Sequence, residues 1–242
     1  MIVRNEGHTL LLITQPDHAR LAEQIVAAMR SEPALDSSDR SVILLATREH
    51  DNGWAELDAE PVIEPGTGRP QDFLKGSVLI KQDLWQRAVR RAAQMDVRAG
   101  ALTAEHALTV HSYRHQTPDW RPFFDSMTAM RDDLLQQAGL LSGAPRQAFE
   151  AQYRCVQLAD AFSLQFCNGW KGPDATLEYE ASMNGDVLLI APDPFGGATV
   201  PLRVLGRRIP SRRYEDDGEL RSAIAAASPL IVEGQARGVG VQ

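Results

Sequence analysis

Cysteine is almost missing from this chain, with two in 242 residues, and there is no basic excess. Lys and Arg number 25 against 32 Asp and Glu, a formal net charge of −7. Each scarcity excludes something. Cys155 and Cys167 fall in one predicted helix, about 18 Å apart along its axis, too far to bond. A disulfide scaffold is therefore excluded, and reduced, buried thiols are expected. The acidic balance leaves no electrostatic footprint for duplex nucleic acid. The basic clusters starting at Arg90 and at Gly206 read as solvated faces. No apolar run approaches the ~20 residues of a membrane span, and the N-terminal one lacks the basic flank of a signal peptide. A cytoplasmic protein without a membrane partner is expected. What remains is 43% hydrophobic and 24% charged, ordinary values for a chain able to bury one core, so residues 1–242 are read as a single domain.

Strand signals stand at both ends. "MIVRNEGHTLLLITQ" reads as a hairpin turning at Glu6-Gly7, and Asn184-Gly185 separates two further strand-like runs. "ATVPLRVLGRRIP" and "SPLIVEGQ" follow as strands, with "DGELRSAIAAAS" as a helix between them. Between the ends the chain reads helical. Pro16 and Asp17 open one helix, with Leu21, Ile25, Val26 and Met29 on its apolar face. "SVILLATREHDNGW" is a second, ending near Gly53. Others are predicted over 79–95, 97–115, 119–139 and 145–168. The turn-rich segment 33–40 and the loop 58–73, with three prolines, interrupt them; a loop of that length suggests function or mobility. The fold class is α+β, a mainly helical core over residues 16–170 flanked by one antiparallel sheet that joins residues 1–15 and 174–242.

Six histidines occur, at positions 8, 18, 50, 106, 111 and 115. His18 precedes Leu21 and Ile25 on the apolar face of its helix. His50 shares a face with Ala46 and Ile43. Asp51 beside it falls at a helix C-terminus, where the macrodipole disfavours a carboxylate and a bound cation would compensate it. Asp160 interrupts the apolar stripe through Phe149, Tyr153, Val156, Leu164 and Cys167. An unpaired carboxylate there costs several kcal/mol, so it is paired with an arginine such as Arg48 or Arg154, protonated, or bound to metal. His111 and His115 form an i, i+4 pair on one predicted helical face, whereas His8 and His106 read as structural or exposed. The four tryptophans read as core or lid packing.

In chain order, His18, then His50-Asp51, then Asp160 resembles the HD superfamily of metal-dependent phosphohydrolases. The resemblance spans roughly residues 16–168 and implies that these four residues hold a divalent ion, of Mn, Fe, Zn, Co, Ni or Mg type. It places His111 and His115 where relatives add histidines for a second ion, a phosphate or leaving-group protonation. Arg69 in the 58–73 loop is the candidate substrate clamp. Two features depart from the superfamily: no lysine follows the doublet until Lys75, and strands flank the helical core. The implied partner is a small phosphorylated molecule or nucleotide, with a non-catalytic metal- or nucleotide-binding module or a metal-free scaffold as alternatives; a homo-oligomer stays open. "LLITQPDHARLA", "REHDNGW" and "TGRPQDF" more closely resemble an uncharacterised bacterial domain-of-unknown-function family, number 3891, which names no reaction.

Overall fold

A computed structural model describes residues 1–36 and 38–240. Residue 37, within the turn-rich segment, lies outside them. The N-terminal hairpin forms as read, with β1 (Ile2–Asn5) antiparallel to β2 (Thr9–Ile13). Helix α1 (Gln15–Ala28) follows at once. Thr14 caps it, its hydroxyl accepting the Asp17 N–H at 3.1 Å, and Pro16 supplies a preset φ in the first turn. Next come α2 (Arg40–Glu49), a 3-10 turn at Asn52–Trp54, and the short α3 (Ala55–Ala59). The predicted 58–73 loop thus starts inside α3. Four long helices complete the helical part: α4 (Val78–Met95), α5 (Val97–Val110), α6 (Arg121–Gln137) and α7 (Gly143–Asn168). Gly169 ends α7 in a left-handed conformation, φ 65°, that glycine adopts without penalty.

The C-terminal part adds β3 (Asp174–Thr176), β4 (Tyr179–Asn184), β5 (Val187–Ala191), β6 (Thr199–Pro210), α8 (Asp217–Ala226) and β7 (Pro229–Gly238). Together with the N-terminal hairpin these strands make one seven-stranded sheet in the order β1-β2-β6-β7-β5-β4-β3. The α+β reading holds, and strands from the two ends of the sequence meet where β2 pairs with β6, Leu11 opposite Arg208. One expectation changes: β5 runs parallel to β7, so the sheet is mixed. Alternating burial along β6, with Val200, Leu202 and Val204 inside, gives the sheet one strongly apolar face.

That face joins Ile2, Leu11 and Ile13 to α1 and α7 in the main core, through Leu21, Ile25, Val156 and Phe162. A second cluster, around Trp85, Val89, Ala104 and Phe123, packs α4, α5 and α6 together. Leu10, Ile209 and Leu220 seat α8 on the opposite side of the sheet. Gly100 permits the α4–α5 approach, since a Cβ there would stand 2.5 Å from that of Ala93. Among the described residues no helix is long and apolar enough to cross a membrane.

Candidate metal centre

Three helices and one turn bring polar side chains to a single buried point. His18 sits in the first turn of α1, its N–H bonded to the Thr14 carbonyl at 3.0 Å. His50 is the C-cap of α2, and Asp51 leads into the 3-10 turn. Asp160 lies on the inner face of α7. Both imidazoles are wholly buried, and Asp51 and Asp160 are only 6% and 8% exposed. The turn after the doublet is pressed onto α4: a Cβ at Gly53 would come within 2.3 Å of the Leu84 carbonyl oxygen. Arg91 and Arg87 on α4 also hold the Asn52 and Gly53 carbonyls. The glycine of "HDNGW" is therefore a requirement of close approach, and it fixes Asp51 against the helical core.

The donor atoms face inward. His18 Nε2 and His50 Nε2 stand 3.3 Å apart. Asp160 Oδ1 lies 3.0 Å from the first and 3.3 Å from the second, and Asp51 Oδ2 is 3.5 Å from each. The arginine alternatives for Asp160 are taken elsewhere: Arg154 pairs with Glu32 and Glu178, and Arg48 with Glu23 and Glu49.

Outer hydrogen bonds determine which ring nitrogen carries hydrogen. His50 Nδ1 lies 2.7 Å from the Thr47 carbonyl oxygen, which can only accept, so Nδ1 is the protonated atom. His18 Nδ1 is 2.8 Å from Ser163 Oγ. That hydroxyl donates its own hydrogen to the Asp160 carbonyl at 2.9 Å, so it accepts from His18 Nδ1–H. In their neutral forms both imidazoles thus turn an Nε2 lone pair toward the same point as two carboxylates. Lone pairs at 3.3 Å repel one another unless a positive charge lies among them. Second protons can turn to the carboxylates, since Asp160 Oδ1 and Asp51 Oδ2 lie within 3.5 Å of both nitrogens, but they crowd two like charges 3.3 Å apart. The donor set could hold a divalent ion, and an acceptor behind each imidazole is the usual support of histidines at metal sites.

The charges of the cluster also act on one another. Burial opposes charging of His50, yet Asp51 and Asp160 raise it to about 9. His18, against the same burial, is held well above the ordinary range by Asp160 and then Asp51. Asp51 and Asp160 are in turn held below the usual carboxylate range by the histidines, although burial pushes the other way.

His106 joins the cluster, contrary to expectation. It is buried on α5, its Nε2 3.6 Å from Asp160 Oδ2 and its ring centroid 4.8 Å from that of His50. Burial holds it down to about 4, so it stays neutral and keeps a lone pair. Two overlapping sets able to hold an ion result, His18/His50/Asp51 and His50/His106/Asp160, with donor atoms within 4.8 Å of one another in each. In sequence, His106 is off the predicted His111 face. On α5 that criterion fails, since burial extends around most of the helix, over Ala99–Ala104 and His106-Ala107.

A cavity of about 220 Å³ opens beside the cluster, lined by Asp51, Asp160, His106, Trp54, Trp85 and nine neighbours including Lys81, His111 and Trp170. The histidine pair of the sequence reading is separated. Helix α5 stops at Val110, His111 becomes its C-cap, and a 3-10 turn at Ser112–Arg114 intervenes, so no common helical face exists. His111 lines the cavity and accepts a hydrogen bond from Trp85 Nε1–H at 2.9 Å. His115 instead packs on Phe124 and lines a surface hollow with Arg121 and Asp125. Arg69 is exposed on the loop that bridges Ile63 to Pro70, and does not line the cavity. Of that part of the chain, Phe73 and Leu74 do.

The model of a family described as protein of unknown function, DUF3891, matches residues 1–211. No curated protein and no solved structure matches the chain.

Proposed function

This chain belongs to the DUF3891 family of unknown function, and from the donor cluster at its core we propose that it is a metal-dependent hydrolase of a small phosphoester or nucleotide. His18 and His50, through Nε2, and Asp51 and Asp160, through carboxylate oxygens, would hold a divalent ion, with His106 beside them. The observation that carries this reading is the pair of Nε2 atoms 3.3 Å apart, each with its other nitrogen committed to an outer acceptor. The HD-like order of the four residues agrees with it.

The chemistry such an ion supplies is activation of water near neutral pH and neutralisation of phosphoryl charge. The chain's own residues do the rest. Thr47 and Ser163 keep the two imidazoles in the ligating tautomer. Asp51 and Asp160 contribute two negative charges that match a divalent ion, and only they and His106 of the cluster also line the cavity, so a ligand would meet the site from their side. Trp54, Trp85 and Leu164 wall that side with apolar surface and limit the water that reaches it.

The test is a phosphatase and phosphodiesterase panel, with p-nitrophenyl phosphate and bis(p-nitrophenyl) phosphate, in added Mn²⁺, Co²⁺, Ni²⁺ or Zn²⁺. Turnover that a chelator abolishes, and that His18→Ala and Asp160→Asn reduce to background while folded, supports the proposal. Metal uptake with no turnover of any ester would favour a binding module.

A further inference from the structure

Beyond the cluster, the cavity is built asymmetrically. Buried polar atoms without a hydrogen-bond partner include Gln15 Oε1, His106 Nδ1 and His111 Nδ1, and all three residues line this cavity. Unsatisfied groups are rare in a folded core, and three of the eight among the described residues belong to side chains around this one hollow.

The nature of one of them follows from its partner. Trp85 Nε1 can only donate, so His111 Nε2 is the acceptor of their 2.9 Å bond and Nδ1 must carry the hydrogen. Burial, with repulsion from Lys81 next, pushes the His111 pKa down to about 3, so the ring remains neutral. It is a fixed donor and not a proton source. Lys81, one of only three lysines in the chain, is 8% exposed. Its Nζ gives one hydrogen to the Leu74 carbonyl at 3.3 Å, and among the described residues it pairs with no carboxylate. Burial, and then Arg114, hold its pKa below the ordinary lysine range against the pull of Asp72, and a bound anion would favour its charged form. The lining is also aromatic: Trp54, Trp85 and Phe73 contribute to it, as do Trp170 and Tyr113, which are 41% and 69% exposed.

We propose that the cavity takes a small phosphoester whose unreactive side is a flat aromatic or apolar group, its charged oxygens held by the Lys81 ammonium and the His111 Nδ1–H. This assignment of substrate class rests on the phosphohydrolase reading. The volume, about 220 Å³, is under the ~300–1,000 Å³ of sites for drug-sized ligands, which keeps the ligand small. Trp85 acts as a positioning residue, through the tautomer it imposes on His111.

The experiment is a tryptophan-fluorescence titration with phenyl phosphate and with inorganic phosphate, with and without Mn²⁺, metal content being measured on the same samples. Phenyl phosphate is expected to bind about tenfold tighter than inorganic phosphate, because its ring is buried. Lys81→Gln is expected to weaken both ligands about tenfold, through loss of a charge-assisted hydrogen bond. His111→Phe, which keeps the ring contacts with Trp120 and Phe123, weakens both as well. ¹⁵N NMR of the folded protein should show His111 protonated at Nδ1 and bare at Nε2 at neutral pH, and a mixture of tautomers in Trp85→Phe together with weaker binding of both ligands, a loss that a purely structural role would not produce. Equal affinity for the two ligands, an unchanged Lys81→Gln variant, or a His111 ring protonated at Nε2 would overturn the assignment. Absence of metal with the aromatic preference intact would count against the phosphohydrolase reading alone.

Discussion

Gly53→Ala is a one-methyl perturbation whose cost the structure allows to be worked out. The new Cβ would meet the Leu84 carbonyl oxygen at 2.3 Å and the Ala88 Cβ at 3.1 Å. An ordinary contact begins near 3.4 Å, so the turn and α4 must part by about 1 Å, the shortfall behind the cost of overpacking. The obstacle is backbone in the middle of an 18-residue helix, which no rotamer change relieves. Overpacking of this kind costs about 1–3 kcal/mol. The lower entropy of the unfolded alanine chain offsets about 0.4–1 kcal/mol of it. The mid-range values leave a net loss of about 1.3 kcal/mol, which lowers Tm by roughly 3–5 °C for a chain of this size. The same displacement moves Asp51, two residues away, so metal affinity should fall about tenfold or more. Urea unfolding, calorimetry and metal titration measure the three quantities. Gly172→Ala is the control, because nothing lies within 4 Å of its Cβ, and it should stay within about 0.5 kcal/mol of the parent. A Gly53→Ala protein with parental Tm and parental metal affinity would refute the claim that this turn is wedged onto α4 to place the doublet.

Other outcomes follow from the same geometry. Ser163→Ala removes the acceptor for His18 Nδ1–H and should weaken metal binding about 10–100-fold, read by competition with a chromogenic chelator. Protons would compete with metal at the proposed histidine ligands: since His50 is raised to about 9, metal affinity should climb as pH rises from about 6.5 to 9, and an affinity flat over that window would contradict the ligand assignment. For the metal-free protein the sign is opposite. The stabilisation gained from charged His50 is complete below about pH 6.5 and disappears as pH passes about 9, whereas that from Asp51 and Asp160, whose pKa values are lowered, vanishes on acidification below the ordinary carboxylate range. Urea midpoints in chelator across pH check both limbs. Thr14→Ala deletes the cap of α1 and should cost about 0.5–2 kcal/mol, with loosened metal binding because His18 sits in that first turn.

Much of this was legible because local patterns carry it. His18, His50 and Asp160 fall on apolar helical faces, and a polar side chain there must find a partner inside. Asn184-Gly185 and Glu6-Gly7 mark turns through backbone chemistry alone, though the first pairs Asn184 with Val187 and leaves Gly185-Asp186 as the turn. What escaped depends on the tertiary environment. The end of α5 at Val110 carries no proline or glycine, and the change to a 3-10 turn separates His111 from His115. His106 was hidden because a helix buried around most of its circumference has no single inner face. Lys81 is three elements and 30 residues beyond the doublet, so only packing of α4 over the Gly53 turn brings it to the cavity. The parallel pairing of β5 with β7 joins residues almost 50 positions apart, a non-local choice that strand patterns do not encode.

The central claim is that His18, His50, Asp51 and Asp160 surround a divalent ion. Elemental analysis of the untagged protein, after equilibration with Mn²⁺, Co²⁺, Ni²⁺ or Zn²⁺ and removal of excess, tests it most directly beside His50→Ala and Asp160→Ala, with circular dichroism as the fold check. The account predicts close to one ion per chain in the parent, or two if both overlapping sets fill, and its loss in both folded variants. A parent that retains no metal, or folded variants that retain as much as the parent, would contradict it.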